Sequence, residues 1–554
     1  MKKNTNEINQ SKKRHGFLKG CLIIIIVFFV LCAGIGIVMS LTMDKVTNSK
    51  SAVTRYIDVT DEHAADIESI LNDCGIEKIS SIEHDEILDN AHTDGETGYR
   101  LKTGNIDNII LYLLPDMSVN QVRYADYDLY ADDSKIATLQ DYTVSKDELD
   151  KYQYLEKRER AFLTKVVEGT LEYQIRIDYI INTFSNTKVH KMKPVIRCIL
   201  RSAVYQICFL DGVPDSAACN EAVKLAKKRG FHTLKGFVNG VLRNIARNKE
   251  NITYPEKEKE PVAYLSVVYS LPEWLVRQWK DESGMEGTEQ MAAAFLTEQP
   301  TTVRINTERI TKQELIDRLQ SEGVEVSESV QMEDALFLSG YDYLNKLKSF
   351  QEGLFYVQDI SSMTAAKEAG AKEQDVVLDL CAAPGGKSIY VAQQMHGKGR
   401  VIARDLTPQK VFLIEENIRR CQVSNMQAEC ADARIFDAAW EKKADVVIAD
   451  LPCSGLGVIG RKKDIKYKMT VEKEAELVAL QREILKNAVR YVKPGGTLLY
   501  STCTIHKAEN EENVRWLSEQ YPELEVELQK QIFPGEEGND GFFVARMKKG
   551  KKHE

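Results

Sequence analysis

The sequence predicts an α/β protein whose C-terminal part, residues 346–549, is a doubly wound, Rossmann-like sheet. Three observations lead to this prediction. Short apolar strands alternate there with amphipathic helices, and several of the strands are apolar along their whole length, as buried parallel strands are. A Gly-rich turn follows the first strand and opens a helix, and acidic or thiol side chains stand where the strands end. With 554 residues, the chain is too long for one core, so we expect about three to four domains.

Composition narrows the class of protein. The chain is 43% hydrophobic and 28% charged, with a formal net charge of -9, so any binding of nucleic acid has to rely on local basic patches. Its 11 cysteines include no CxxC pair and no Cys/His zinc spacing, which argues against a metal site. Nor do they resemble a disulfide framework, so we expect a reducing compartment.

The first 141 residues are the part with no evident chemistry. Residues 20–43 carry no charge and are long enough for a transmembrane helix that attaches the chain to a membrane. Six basic residues precede this segment and three follow it, which predicts a cytoplasmic N-terminus with the rest of the chain outside. Residues 44–141 are polar with two strand-like runs, 108–114 and 122–131, and predict a small α+β domain or a spacer of unknown role.

Residues 142–250 predict an all-α domain, because apolar residues recur there at three- and four-residue spacing. Its last part is basic with almost no interleaved acids, which is typical either of a solvated helix face or of a surface that contacts RNA phosphates. The candidate RNA-binding residues are Lys224, Lys227, Lys228, Arg229, Lys235, Arg243 and Arg247.

A charged linker, 250–260, leads to a predicted small α/β subdomain at 261–345. Pro272 opens one helix there, and residues 301–310 predict a strand. The helix predicted at 311–323 begins with Thr311 in the capping position and Glu314 three residues later.

The doubly wound sheet is predicted from four strands and three helices. The strands are 375–380, 400–405, 445–450 and 496–503, and the helices begin at Ser388, at Pro408 and near residue 473. Ligands bind such sheets at the carboxyl ends of their strands. Five strand ends or following turns therefore converge on one crevice, bringing the Gly-rich loop, Asp405, Asp432, Asp450 and Cys503.

The loop after the first strand predicts a cofactor site. Its residues are Cys381, Ala382, Ala383, Pro384, Gly385, Gly386 and Lys387. Small residues let a ligand approach the backbone, and the free N–H groups of the following helix attract a carboxylate. Asp405 is placed to accept both hydroxyls of a ribose. The loop matches neither GxGxxG nor a P-loop, whereas S-adenosylmethionine, a nucleoside bearing an amino-acid carboxylate, uses all of these features.

Two thiols at neighbouring strand ends, Cys453 and Cys503, are the second unusual feature. Buried cysteines are usually small hydrophobic residues, and Cys198, Cys208 and Cys421 are interpreted so. Methylation of pyrimidine carbon 5, however, requires a thiolate that adds to carbon 6, a group at the base's nitrogen edge, and a base for elimination. Asp450 is the candidate for the group at the nitrogen edge of the base. A carboxyl group there favours cytosine over uracil, because uracil presents the opposite hydrogen-bonding pattern at that edge.

At this point the chain resembles a known family. The segments 350–362, 379–388, 450–467, 500–504 and 540–547 are similar to the RNA cytosine-5 methyltransferases of the Sun (RsmB) type, which act on 16S ribosomal RNA of the small subunit. The helical domain resembles their NusB-like RNA-binding domain. The resemblance implies Cys503 as nucleophile, Cys453 in product release, and cofactor contacts at the loop and at Asp405, Asp432 and Asp450. It implies no metal, and we expect a monomer.

Alternatives are separated by the same motifs. A transfer-RNA cytosine-5 methyltransferase is an alternative within the same class of enzyme. A membrane-tethered, non-catalytic RNA-binding factor is a second alternative, but it would need a degenerate site, and the motifs of this chain are intact. The logic of DNA cytosine methyltransferases would make Cys453 the nucleophile, but it leaves the strand of Cys503 without a role. Amino-group methylation predicts Pro-Pro and an aromatic residue after the strand 445–450, where this chain has Leu451, Pro452 and Cys453.

Localisation is the one conflict in the sequence. Ribosomal RNA and S-adenosylmethionine are cytoplasmic, whereas the charge bias around residues 20–43 predicts membrane attachment with the enzyme outside. The first 140 residues have no counterpart in the family, and the first NusB-like helix is replaced by polar sequence. We therefore expect a fusion or an artefact of the gene model rather than an exported enzyme.

Overall fold

The computed structural model describes residues 157–535 and 539–551, together with the backbone of five strands between residues 79 and 128. The chain divides into two compact units, 1–253 and 254–554. Among the residues that the structure describes, no helix is both long and apolar enough to cross a bilayer. This finding contradicts the predicted membrane attachment, which we do not retain. The segment on which that prediction rested, 20–43, lies outside the described residues.

The N-terminal strands form one antiparallel sheet in which each strand pairs with the next along the chain. They are β1 (Ile79–His84), β2 (Thr97–Thr103), β3 (Ile106–Leu113), β4 (Val119–Tyr124) and β5 (Tyr127–Asp128). The predicted strand-like runs at 108–114 and 122–131 fall on β3 and on β4 with β5.

Five helices follow in the same unit and share one apolar core. They are α1 (Lys157–Glu172), α2 (Gln174–Phe184), α3 (Pro194–Cys208), α4 (Asp215–Lys228) and α5 (Lys235–Asn248). In α3, 12 residues from Val195 to Ile207 are buried, including the polar side chains of Arg201, Ser202 and Gln206. So large a buried share shows that other parts of the unit cover α3 on most of its sides.

The second unit begins with two helices and a small sheet. The helices are α6 (Pro261–Val268) and α7 (Glu273–Phe295), which is interrupted at Gly284, where φ is 73°. The sheet has the order β7-β8-β6-β9 and is antiparallel. Its elements are β6 (Thr301–Ile305), α8 (Lys312–Ser321), β7 (Glu325–Glu328), β8 (Ala335–Ser339), α9 (Lys348–Gln351) and β9 (Phe355–Val357). The predicted capping box of α8 is present at Thr311 and Glu314.

A seven-stranded sheet with the order β12-β11-β10-β13-β14-β16-β15 completes this unit. Strands β10 to β14 are parallel, and β15 and β16 are antiparallel. The strands are β10 (Val376–Asp379), β11 (Arg400–Asp405), β12 (Met426–Cys430), β13 (Ala444–Asp450), β14 (Val492–Thr502), β15 (Leu524–Ile532) and β16 (Phe542–Lys549). The helices are α10 (Ile360–Glu368), α11 (Gly386–Gln394), α12 (Pro408–Cys421), α13 (Ile465–Lys468), α14 (Val471–Tyr491) and α15 (Glu511–Gln520).

Both faces of this sheet are buried, which explains why its central strands are apolar throughout. Along β10, Val377 belongs to the apolar cluster on one face and Leu378 to the cluster on the other. Along β13, Ile448 and Val447 divide in the same way. Alternate residues of a strand point to opposite faces, so a strand covered on both sides needs no polar positions. The predicted doubly wound fold is confirmed, and β15 and β16 extend it.

Candidate active site

The carboxyl ends of the parallel strands carry the candidate residues. The loop 381–387 follows β10, Asp405 ends β11, Asp432 follows β12, Asp450 ends β13, and Cys503 follows β14. Because β10 lies between β11 and β13, its loop is flanked by Asp405 on one side and Asp450 on the other. This arrangement is the topological switch point at which ligands bind in open α/β sheets.

The loop before α11 has the shape of a ligand cradle. Gly385 has a φ of 106°, a left-handed conformation that a side chain strongly disfavours. At Gly386, a Cβ atom would lie 3.1 Å from the Tyr356 ring, so the backbone is closely approached there too. Asp405 fixes the other end of the loop, because its carboxylate accepts a hydrogen bond from the Ala383 N–H at 2.9 Å. Because α11 begins directly after this loop, its N-terminus lies at the carboxyl edge of the sheet, where free helix N–H groups can bind an anion.

Asp405 and Asp432 lie in different environments. Asp405 is 3% exposed, accepts a second backbone hydrogen bond from Leu406 N–H at 2.8 Å, and pairs with the Lys410 ammonium at 3.1 Å. Asp432 pairs with Arg434 through both carboxylate oxygens, and the hydrogen bonds from that guanidinium lower the pKa of Asp432. Asp405 is therefore bonded to the backbone of the loop 381–387, whereas Asp432 stands one strand further out.

Asp450 connects the cofactor loop to the thiols. Its Oδ2 accepts a hydrogen bond from Lys387 Nζ at 2.6 Å, and its Oδ1 accepts one from Ser501 Oγ at 2.7 Å. Lys387 also lies over the ring of Phe542, 5.0 Å from its centroid. Although burial opposes it, the Asp450 carboxylate raises the pKa of Lys387, which therefore stays a cation. Two donors thus fix the orientation of the Asp450 carboxylate.

The two thiols are in direct contact. Cys453 Sγ and Cys503 Sγ lie 3.2 Å apart, and both residues are partly exposed. The hydrogen bond from Cys453 lowers the pKa of Cys503 against the effect of burial, with the charges of Lys462 and Lys387 adding to it. The same bond, burial, and the charges of Cys503 and Glu509 raise the pKa of Cys453. The Asp450 carboxylate opposes the lowering of the Cys503 pKa, but the pKa shifts of the two thiols still have opposite directions, down for Cys503 and up for Cys453.

The candidate RNA-binding residues lie on the helical unit. Lys224, Lys227 and Lys228 are on α4, Arg229 ends that helix, and Lys235, Arg243 and Arg247 are on α5. Six of them are exposed, and Arg229 is partly buried. Lys224 forms an ion pair with Glu221 at 2.6 Å. The two helices pack against each other through the buried apolar side of each, such as Leu225 and Leu242, so their basic residues face outward.

Three residues of this site were not singled out from the sequence. Ser501 precedes Cys503 by two positions, and its short hydroxyl gave no sign that it would orient Asp450. Lys462 lies in a run of basic residues that reads as solvated surface, yet its charge acts on both thiols. Arg304 is 1% exposed and donates hydrogen bonds to Gly386 O at 3.0 Å and to Gln393 Oε1 at 3.1 Å. No local pattern marks any of the three, because their partners lie far along the chain.

A doubly wound sheet with this loop, this strand-end carboxylate and this pair of thiols defines an S-adenosylmethionine-dependent RNA methyltransferase. The model of the 16S rRNA methyltransferase RsmB/F family matches residues 369–548, the NusB family model matches 125–247, and the RsmF/B-like ferredoxin-like domain matches 271–342. The chain belongs to the RsmB/F family of 16S rRNA methyltransferases.

Relatives support the same assignment. The chain is 38% identical over 414 residues to the probable ribosomal RNA small subunit methyltransferase B of Bacillus subtilis, covering 71% of this chain and 92% of that protein. It is 31% identical over 404 residues to the ribosomal RNA small subunit methyltransferase B of Vibrio cholerae, covering 72% and 91%. The crystal structure of PH0851 superposes with a TM-score of 0.64 at 28% identity, covering 73% of this chain and 94% of that one.

S-adenosylmethionine is the cofactor of this family, and the residues of this chain suit it. The cofactor supplies a methyl group on a sulfonium, which an electron-rich carbon can attack. A left-handed glycine at the loop, the N-terminus of α11 and the strand-end carboxylate of Asp405 are what a nucleoside carrying an amino-acid carboxylate requires. Within the described residues, no group of His, Cys, Asp and Glu side chains is arranged to hold a metal ion.

Proposed function

We propose that this enzyme methylates carbon 5 of a cytosine in 16S ribosomal RNA through a covalent bond between Cys503 and carbon 6. The observation that carries the proposal is the contact of two thiols, 3.2 Å apart, in which Cys503 has the lowered pKa and Cys453 the raised one. Carbon 5 of cytosine is not nucleophilic by itself. Addition of a thiolate to carbon 6 gives it the electron density that methyl transfer requires.

The steps balance with the residues at the site. The Cys503 thiolate adds to carbon 6, and carbon 5 would then take the methyl group that S-adenosylmethionine supplies. A base takes the carbon 5 proton, the electron pair of that C–H bond re-forms the double bond between carbons 5 and 6, and the Cys503 thiolate leaves carbon 6. Cys453, whose sulfur lies 3.2 Å from that of Cys503, is the group we assign to this proton transfer. Asp450, oriented by Lys387 and Ser501, holds the N3/N4 edge of the base. Cys453 acts in the last step, at product release.

The outward-facing basic residues of α4 and α5 support a role of the helical unit in holding the RNA. Six exposed cations on two adjacent helices are sufficient for several phosphate contacts. The ribosomal target follows from the family and from the names of the relatives. Phosphate contacts place the substrate, whereas the choice of nucleotide depends on contacts to bases.

Two variants test the mechanism with transcribed 16S RNA and labelled S-adenosylmethionine. Cys503→Ala is expected to abolish both methyl transfer and the denaturant-resistant protein–RNA adduct. Cys453→Ala is expected to form the adduct and fail to release it, so the adduct accumulates. Cys208→Ala, which removes a partly buried thiol of the other unit, is the matched control. The opposite result for the two thiols would reverse their roles, and methylation by Cys503→Ala would end the covalent mechanism.

A further inference from the structure

A buried carboxylate lies behind the two thiols. Glu509 is fully buried, and its carboxylate accepts hydrogen bonds from the Ser454 N–H at 2.9 Å and from the Ser454 hydroxyl at 2.5 Å. Gln481 donates a third hydrogen bond to it at 2.8 Å. Glu509 comes from the segment after β14, whereas Ser454 belongs to the loop after β13. The carboxylate therefore joins the two loops that carry the thiols.

Ser454 directly follows Cys453, and this places the contacts of Glu509 next to the thiol. On the other side of Cys453, the carbonyl of Pro452 accepts a hydrogen bond at 2.9 Å from the same Gln481 amide that binds Glu509. The hydroxyls of Ser454 and Thr504 lie 2.8 Å apart, and Thr504 directly follows Cys503. Both flanks of Cys453 and one flank of Cys503 are thus held by one buried network.

We infer that Glu509 is a positioning residue that keeps the Cys453 loop in the register in which its thiol contacts Cys503. This inference rests on the proposed function, in which the two thiols act in sequence on one base. Glu509 itself is one residue removed from the thiol, so it acts through Ser454 and Gln481. A carboxylate suits this place because the Ser454 N–H and hydroxyl and the Gln481 amide all donate to it, and an ionised acceptor binds such donors more strongly than a neutral one.

A histidine and two further carboxylates surround Glu509. His506 Nδ1 lies 3.6 Å from Glu509 and 3.7 Å from Glu474, and Nε2 lies 3.9 Å from Glu282. Although burial opposes it, the carboxylates of Glu509, Glu474 and Glu282 raise the pKa of His506, which can then supply the countercharge. Glu474 is the natural control, because it is 3% exposed and faces the same imidazole. Ser454 donates its hydrogen bonds to Glu509 and not to Glu474.

Glu509→Gln tests the inference with Glu474→Gln as its matched control. The substitution turns one acceptor oxygen into a donor NH₂ that faces the donors of Ser454, which loosens the loop while keeping the shape. The first measurement is the rate at which iodoacetamide alkylates Cys503 in the free full-length enzyme, followed by peptide mass spectrometry. We expect about a tenfold decrease at pH 7.5 for Glu509→Gln, as for loss of one hydrogen bond to a thiolate, and little change for Glu474→Gln.

The second measurement is the covalent adduct with 16S RNA and S-adenosylmethionine, which Glu509→Gln is expected to accumulate although Cys453 is present. Wild-type alkylation in a folded Glu509→Gln enzyme would overturn the inference, as would an equal decrease in Glu474→Gln. Alkylation needs no RNA, so the two measurements can disagree. If Cys503 is alkylated about tenfold more slowly in Glu509→Gln but no covalent adduct with RNA forms, the proposed function is refuted and the positioning role stands. If Glu509→Gln does not fold, Ser454→Ala is measured in its place. It should slow alkylation in the same direction, and an unchanged rate would refute the positioning role.

Discussion

Asp379 gives a prediction whose sign and size follow from the structure. It is 1% exposed at the end of β10, and its carboxyl accepts a hydrogen bond from Ser388 Oγ at 2.6 Å. Burial raises its pKa from an ordinary 3.8 to about 7, with the Ser388 hydrogen bond opposing and the charge of Asp450 adding to the rise. A carboxyl whose pKa is raised on folding opposes folding wherever the unfolded chain has it ionised.

The free-energy cost that the raised pKa of Asp379 imposes on folding depends on pH in a defined way. It is absent well below pH 3.8, grows as the pH rises, and is constant above about pH 7. A pKa difference of about three corresponds to about 4 kcal/mol above pH 7, and at pH 5 only about 2 kcal/mol of it is present. Asp379→Asn removes this cost while its amide oxygen still accepts from Ser388. We therefore expect the stability advantage of the variant over wild type to grow by about 2–3 kcal/mol from pH 5 to pH 8.

Urea unfolding followed by tryptophan fluorescence measures this difference in the unit concerned. All four tryptophans belong to the unit 254–554, namely Trp274, Trp279, Trp440 and Trp516. Asp437→Asn is the control of opposite sign, because a hydrogen bond from Arg404 lowers the pKa of Asp437. The disadvantage of that variant should be constant from pH 5 to pH 8 and shrink only below about pH 4, because Asp437 is ionised in both the folded and the unfolded chain above that pH. A constant difference between Asp379→Asn and wild type from pH 5 to pH 8 would refute the reasoning.

Two further predictions concern the basic helices and the loop packing. Replacing Lys235, Arg243 and Arg247 together by Gln should weaken RNA binding at low salt and lower the slope of log K against log salt by about two to three, since each phosphate contact contributes about 0.7–0.9. Filter binding from 50 to 300 mM salt measures this, and an unchanged slope would remove α5 from the RNA surface. Gly457→Ala should cost about 3 kcal/mol or more, because its Cβ would lie 2.0 Å from Gly541 O, whereas Gly240→Ala in α5 meets nothing within 4 Å and should stabilise by about 0.5–1 kcal/mol. Thermal unfolding by circular dichroism compares the two, and equal effects would contradict the packing argument.

Much of the sheet could be predicted because its signals are local. Strands buried on both faces leave apolar runs, and polar residues at their carboxyl ends stand out against these runs. Asp405 and Asp450 were predicted as site residues in this way, and their roles stay a prediction. In the structure Asp405 accepts a hydrogen bond from the loop at Ala383, and Asp450 accepts one from Lys387. The antiparallel strands β15 and β16 were not predicted. In β15 only the two end residues are buried and most of the others are exposed and polar, so its sequence resembles a surface segment.

Other parts of the site could not be predicted, because their partners are distant in sequence. Arg304 lies in a short strand where a charged residue suggests a solvent-facing position, but Gln358, Gly386 and Gln393 bury it completely. The contact between Cys453 and Cys503 depends on the Glu509 network and on the close approach of Gly457 to Gly541. Spacing along the chain contains no information on such closures, since they form only when separate loops meet.

The contact between the two thiols also gives the order of events in the proposed reaction. Before the attack, the largest cause that raises the pKa of Cys453 is its hydrogen bond to Cys503, and the charge of Cys503 adds to it. Once the sulfur of Cys503 is bonded to carbon 6, it is a neutral thioether that neither carries charge nor accepts a strong hydrogen bond. Burial and the more distant Glu509 then remain. Formation of the adduct therefore makes Cys453 more acidic, and a thiol that could not compete for the first step becomes able to take part in the last one.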